Sequence, residues 1–277
     1  CLGCRRVSIT DCGTGENGTI VCIHGTPGTV YDFRYMGGEL ERAGCRVIRV
    51  DLPGNGRTDE EAMGDLGDAA CGHALAKLVA EVVEKVVPDG RRVYLMAHSL
   101  GGQIAMNYAL LHPSRVAGLL LISPAPLFTP HRMIRPLWLV RAMTNLHISI
   151  EATPLRAPWR QVLRLLWIAW GFTPRITPAV VSHGQRRLQH VDYWAQRERA
   201  ASLKKLGTPT LMAWSKNDPM IESELHHDLS QALPGGPRLV YPSGGHFINK
   251  MHAGPITAAA VEWISLCTMN QQMKEEE

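Results

Sequence analysis

The chain has no run of eighteen uninterrupted apolar residues, no internal repeat, and no group of His and Cys at metal-ligand spacing. The first absence excludes a membrane-spanning helix. The third leaves no reason to expect a metal, and nothing else in the residues calls for a cofactor. Charge of one sign is scarce too. With 29 Lys and Arg against 25 Asp and Glu, the net charge is +4, too small an excess for a nucleic-acid binder. Only 19% of the 277 residues are charged and 45% are hydrophobic. That composition excludes a disordered chain and predicts one large domain, or a domain carrying an insertion. No basic segment followed by an apolar core marks a signal peptide. The chain begins at Cys1 rather than Met, so an upstream targeting segment is left open. Its seven cysteines are odd in number and irregularly spaced. They are expected as reduced thiols in a cytoplasmic protein. Cys1-x-x-Cys4, with Cys12 nearby, would be half of a metal site, but no second pair follows at zinc spacing.

What is present is an alternation. Apolar runs at Thr19 to His24, Arg46 to Asp51, Arg92 to His98 and Val116 to Ser123 read as buried strands, and Arg5 to Thr10 as an edge strand. Between them, Tyr31 to Arg42, Ala69 to Val87 and Ser99 to Leu111 have helical spacing, the second stopped by Pro88-Asp89-Gly90. Strands apolar on both faces, alternating with helices, predict a mostly parallel sheet covered on both sides. The alternation stops at Pro124 and resumes with strands at Thr210 to Trp214 and Arg238 to Tyr241. Helices are expected from Ile221 to Ala232 and from Pro255, with a polar, frayed tail from Asn270. The expected division is an α/β core of residues 1–123 and 202–277, with a helical insertion at 124–201. Because the insertion follows a strand end, where open parallel sheets bind ligands, it would cover the site.

Chemistry concentrates in Ala97-His98-Ser99-Leu100-Gly101-Gly102, between a strand and a helix. A serine on so sharp a turn projects its hydroxyl away from the sheet. It needs a base, and His246 follows the last strand. The base needs an acid to fix its tautomer, and Asp218 follows the strand ending at Trp214. An oxyanion needs two backbone donors. The amide of Leu100 is one, and the amide of Thr26 in His24-Gly25-Thr26-Pro27-Gly28 is the other, with Gly25 and Gly28 permitting a tight backbone. His24 and His98 flank the site and are expected to orient loops rather than act as bases. Singly, each of these is a helix cap or a turn. Jointly, at strand ends and in the order Ser, Asp, His, they read as a catalytic triad. His226-His227-Asp228 lies on an expected helix and reads as surface.

These landmarks resemble the α/β-hydrolase superfamily, specifically esterase- and lipase-like members with an HGxPG turn and a helical lid. The match runs through His24 to Gly28, Asp51-Leu52-Pro53-Gly54-Asn55-Gly56, the serine turn, and the Asp218 and His246 contexts, over most of the chain. The resemblance implies an α/β-hydrolase fold, a helical lid, and a nucleophile elbow in which Ala97 replaces the usual first glycine. It also implies that the N-terminus lacks the family's first strand. Serine rather than aspartate at the elbow excludes the alkyl-enzyme ester of epoxide- or halide-processing relatives and points to acyl transfer. The first expectation is hydrolysis of a carboxylic ester or thioester, small-molecule or lipid-like, with an apolar portion. Carbon–carbon bond hydrolysis, acyl transfer, peptidase action and receptor-like binding with little turnover are the alternatives.

The insertion holds five of the seven tryptophans: Trp138, Trp159, Trp167, Trp170 and Trp194. It has eleven arginines, no lysine and three acids, a net +8, which leaves the rest of the chain at −4. Docking of a basic lid on a slightly acidic core is the default expectation. Such a lid would also suit an anionic substrate group or the headgroup region of a membrane, as a peripheral contact.

Overall fold

A computed structural model describes residues 6–68, 70–88, 90–132, 136–169, 172–189 and 191–276. The elements follow in order β1 Ile9–Cys12, β2 Thr19–Ile23, α1 Arg34–Arg42, β3 Arg46–Val50, α2 Gly72–Val86, β4 Val93–His98, α3 Leu100–Leu111 and β5 Val116–Ile122. Four helices come next: α4 Leu137–Glu151, α5 Arg156–Ala169, α6 Pro178–Gln189 and α7 Tyr193–Leu206. The chain closes with β6 Thr210–Ser215, α8 Ser223–Ala232, β7 Arg238–Tyr241, α9 Ile248–Met251 and α10 Ala253–Glu276. Cys1, Cys4, Trp170 and His190, with the expected helix start at Ala69 and the Asp89 of its stop, lie outside the described residues. Cys12, Cys22, Cys45, Cys71 and Cys267 are free thiols. Among the described residues, no helix is long and apolar enough to cross a membrane.

The seven strands form one sheet in the order β1-β3-β2-β4-β5-β6-β7. All neighbours are parallel except β1, which pairs antiparallel with β3 at the edge. Strand side chains alternate between faces, and here both faces are apolar. Val21, Ile23, Leu95, Leu119, Leu121 and Met212 share one core with α2, α3, α7 and α8. Ile20, Cys22, Tyr94, Met96, Leu120 and Leu211 share the other with α1 and α10. Continuous apolar strands therefore mark a sheet with no wet face.

After β2 the chain runs to β3 on one side, then returns to β4 on the other. The carboxyl ends of β2 and β4 thus diverge at a topological switch point, where parallel sheets form their clefts. The insertion lies between β5 and β6. Its last helix continues beyond residue 201 to Leu206, and Ala200 and Leu203 are buried in the sheet-side core. A small core of Leu163, Trp167, Phe172, Ile176 and Val181 holds the insertion together. The expected helix at Tyr31 to Arg42 begins as a 3-10 turn, Val30–Phe33. Another 3-10 segment, Glu60–Leu66, precedes α2. The polar tail from Asn270 is helical, since α10 runs to Glu276.

Candidate active site

Ser99 follows β4 with φ 53° and ψ −122°. A non-glycine residue held there stores on the order of 1–3 kcal/mol of strain, which the surroundings must enforce. Three backbone hydrogen bonds do so. Ser99 N donates to Ile122 O at 3.0 Å, Gly102 N donates to Ser99 O at 2.9 Å, and Ala125 N donates to Ser99 O at 3.0 Å. Ala97, fully buried in β4, does not prevent the turn. Gly101 lets α3 approach the sheet, because a Cβ there would lie 2.3 Å from Ile23 O.

The three residues singled out for chemistry meet. His246 Nε2 accepts from Ser99 Oγ at 2.9 Å, and His246 Nδ1 donates to Asp218 Oδ2 at 2.7 Å. Asp218 Oδ1 accepts from the amides of Met220 at 2.8 Å and Ile221 at 3.0 Å. Burial alone would raise the Asp218 carboxyl. The hydrogen bond and charge of His246 and the two amides outweigh it and hold the group below the usual carboxylate range. Asp218 therefore stays ionised, as a partner for an imidazolium must.

The amide of Leu100 opens α3, where the helix has no carbonyl to offer it. Thr26 lies in the turn after β2. Gly25 and Gly28 serve this turn through space, since neither has a positive φ. A Cβ on Gly25 would lie 2.8 Å from Ser99 Cβ, and one on Gly28 would lie 2.4 Å from Asp32 Oδ2. His24 Nδ1 donates to Gly25 O at 2.7 Å, and His24 Nε2 accepts from Leu52 N at 3.0 Å. His98 Nε2 donates to His246 O at 3.0 Å, which holds the backbone of the base. Burial pushes both flanking histidines down to about 3, so they are neutral struts. The Asp51 carboxylate, expected in the second landmark, accepts from Val30 N and Arg57 N and braces the loop behind the turn.

Three polar residues had not been singled out in these roles. Arg187, from α6, is 1% exposed. It donates to Thr26 Oγ1 at 3.2 Å, Asn55 Oδ1 at 2.6 Å and Pro53 O at 2.6 Å. It thereby ties the insertion to the turn carrying the proposed oxyanion amide. Asp32 lies beside the same turn. Burial, aided by the Asp51 charge and partly opposed by Thr29 and Arg34, pushes its carboxyl up to about 7. His226, read from sequence as surface, is fully buried near the Trp214 ring, 6.2 Å between centroids, while His227 and Asp228 are exposed. Burial lowers it to about 4 despite the opposing attraction of Asp218.

These histidines make an acid-stability prediction. A histidine whose folded pKa lies below its unfolded value of about 6.5 contributes fully above pH 6.5. Its contribution is lost as pH falls through 6.5 toward the folded value, because the unfolded chain binds the proton first. His24, His98 and His226 act together in this window. Urea midpoints should fall steeply between about pH 6.5 and 4. His226→Phe, which keeps a ring but removes the titration, should reduce that slope by up to about 1.4 kcal/mol per pH unit. An unchanged slope would remove His226 from this account.

The insertion docks on the core partly through charge. Arg186 pairs with Glu60 and, at 2.9 Å, with Asp68. Its tryptophans divide. Trp167 is buried and Trp159 half-buried, while Trp138 and Trp194 are exposed. A cavity of about 620 Å³ separates insertion from core, lined by Gln103, Val140, Arg141, Leu188, Tyr193, Trp194 and Arg199 among others. Ser99, Asp218 and His246 do not line it. Among the described residues, no group of three or more His, Cys, Asp and Glu could hold a metal ion.

The model of a family described as "Alpha/beta hydrolase family" matches residues 20–256. A 2-hydroxy-6-oxononadienedioate/2-hydroxy-6-oxononatrienedioate hydrolase of Klebsiella pneumoniae is 26% identical over 281 aligned positions, covering 94% of this chain and 91% of its own. Two solved structures are similar in fold. An alpha/beta hydrolase fold protein from Burkholderia ambifaria has a TM-score of 0.71 at 21% identity, over 93% of this chain and 94% of its own. A thermophilic esterase from Thermogutta terrifontis has a TM-score of 0.69 at 20% identity, over 94% and 93%.

Proposed function

The chain belongs to the alpha/beta hydrolase family, and from that premise we propose that it is a serine hydrolase that forms an acyl-enzyme on Ser99. The observation that carries this reading is the hydrogen-bonded chain from Asp218 through His246 to Ser99 Oγ, at 2.7 and 2.9 Å. Ser99 Oγ attacks the substrate carbonyl carbon as His246 Nε2 takes its proton, and Asp218 stabilises the resulting imidazolium. The amides of Thr26 and Leu100 receive the oxyanion. His246 then protonates the leaving group, and the carbonyl–leaving-group bond breaks. Water, deprotonated by His246, attacks the acyl carbon, releases the acid and restores Ser99. The helical insertion acts as a lid in this scheme. The first substrate class is a carboxylic ester or thioester with an apolar portion.

A second reading, carbon–carbon bond hydrolysis, is favoured by the name of the Klebsiella relative, which matches over nearly the whole chain. An acidic substrate of that kind would also suit the arginine-rich insertion.

The folded protein should be treated with a fluorophosphonate probe and the adduct located by mass spectrometry. The expected adduct is on Ser99. No labelling of a folded, monodisperse sample would sink the hydrolase reading and favour a binding protein. Turnover of p-nitrophenyl esters of rising chain length, set beside turnover of 2-hydroxy-6-oxononadienedioate, separates the two substrate classes. A preference for acetate over every longer ester counts against an apolar acyl portion. A higher kcat/KM on the dienedioate than on any ester decides for carbon–carbon cleavage.

A further inference from the structure

The outer surface of the insertion is apolar where solvent should favour polar side chains. Helix α5 turns Leu163 and Trp167 inward to the insertion's small core. Trp159 and Ile168 are half-buried against the same core, but four apolar side chains face out: Leu155 just before the helix at 64% exposure, Val162 at 47%, Leu165 at 60% and Leu166 at 47%. Their spacing of seven, three and one residues keeps them on one stripe of a helix. Helix α4 adds Leu139 and Leu146, seven residues apart and exposed, with Trp138 at its first turn 70% exposed. Both helices pack on α6, which itself reaches the core through Arg187. These apolar side chains are open to solvent, whereas Val140 and Arg141 of α4 border the cavity against the core. A contiguous apolar surface of this kind is uncommon on a protein that meets only water.

The charges around the stripe identify the partner. Residues 137–169 contain Arg141, Arg156, Arg160 and Arg164, no lysine, and a single acid, Glu151. That acid is neutralised within the insertion by Arg160. Arg141 and Arg156, on the same two helices as these apolar side chains, are exposed. A second copy of the chain is a poor occupant, because an isologous contact through this face would oppose Arg141 and Arg156 of both copies without a free carboxylate between them. An apolar stripe flanked by arginines, with a tryptophan at its edge, has the chemistry of a helix lying in a bilayer interface.

We propose that the outward face of α4 and α5 docks this protein on the surface of an anionic lipid bilayer. The leucines enter the headgroup–acyl boundary, and Arg141 and Arg156 meet the lipid phosphates and carboxylates. The contact is peripheral and does not depend on the reaction at Ser99, so it is tested without an activity measurement.

The full chain is floated with vesicles of phosphatidylcholine, alone or with about 30% phosphatidylserine, at about 0.1 M salt. The expected result is strong binding to the anionic vesicles and weak binding to the neutral ones. Arg141→Ala with Arg156→Ala should weaken anionic binding about twentyfold and leave neutral binding unchanged. Leu165→Glu with Leu166→Glu should weaken both at least about tenfold. Circular dichroism checks the fold of each variant, and if the leucine pair unfolds, the arginine pair decides. Equal binding of the wild type to the two vesicles overturns the proposal, as does a folded leucine variant that binds like the wild type. Sedimentation is the second measurement. Self-association abolished by the leucine substitutions, with no vesicle binding, would assign the face to copies of this chain instead.

Discussion

Replacing Ser99 by alanine should lower turnover by about a million-fold and abolish covalent labelling by a fluorophosphonate. The size follows from what is removed. In Ser99→Ala the carbonyl has no nucleophile within reach of His246, and only a water could take its place. The oxyanion amides and substrate binding persist, so a residual rate of about a thousandfold over water should survive. The fold should survive as well. The turn is held by backbone bonds to Ile122, Gly102 and Ala125, none of which uses the hydroxyl, and alanine is no larger than serine. A urea titration should move by no more than about 1 kcal/mol. Retention of more than about one per cent of turnover would mean that the nucleophile lies elsewhere.

Asp218→Asn should cost about ten-thousandfold in kcat with little change in fold. The amide oxygen of the new side chain can still accept from Met220 and Ile221, which the carboxylate now uses at 2.8 and 3.0 Å. Its NH2 would then face His246 Nδ1, which must become an acceptor. The imidazole proton moves to Nε2, where it points at Ser99 Oγ and blocks proton transfer. The check is kcat with substrate at saturation, beside a crystal structure or NMR spectrum reporting the tautomer. A loss of less than about tenfold would mean that Asp218 does not set the tautomer of His246. Because the Asp218 carboxyl is held below the usual range, its contribution to stability is complete above the unfolded value. It is lost as pH falls through the lower, folded one. The substitution should therefore also remove part of the acid sensitivity below about pH 4.

Much of this site was legible without coordinates because its determinants are local. A sharp strand-to-helix turn is written in five or six consecutive residues, as in Ala97 to Gly102. A buried strand is written in a continuous apolar run, as in Val116 to Ile122. Chain order then brought Asp218 and His246 to neighbouring strand ends, since β6 and β7 are adjacent and parallel. The glycines of the turn after β2 were noticed for a different reason from the one that holds. A tight turn suggests unusual dihedrals, whereas Gly25 and Gly28 supply clearance for Ser99 and Asp32. Clearance depends on what arrives from elsewhere in the chain. The tail after Asn270 was expected to fray because its residues are polar, yet it continues a helix whose earlier turns are anchored by Ile256, Ala260, Trp263 and Ile264. Propagating an existing helix costs less than starting one.

The sequence by itself determined the sheet, the helical insertion, the serine turn and the order of Ser99, Asp218 and His246, because strand periodicity and turn chemistry act over a few residues. Only the tertiary structure decided what each arginine and histidine of similar appearance does. Arg186 and Arg187 are adjacent on one helix, yet the first pairs with Glu60 and Asp68 while the second is buried against Thr26, Asn55 and Pro53. His226 and His227 divide in the same way between core and solvent. In each case a helix rotates neighbouring side chains by about 100°, so one faces inward and the next does not. Which direction is inward depends on where the rest of the fold packs the helix.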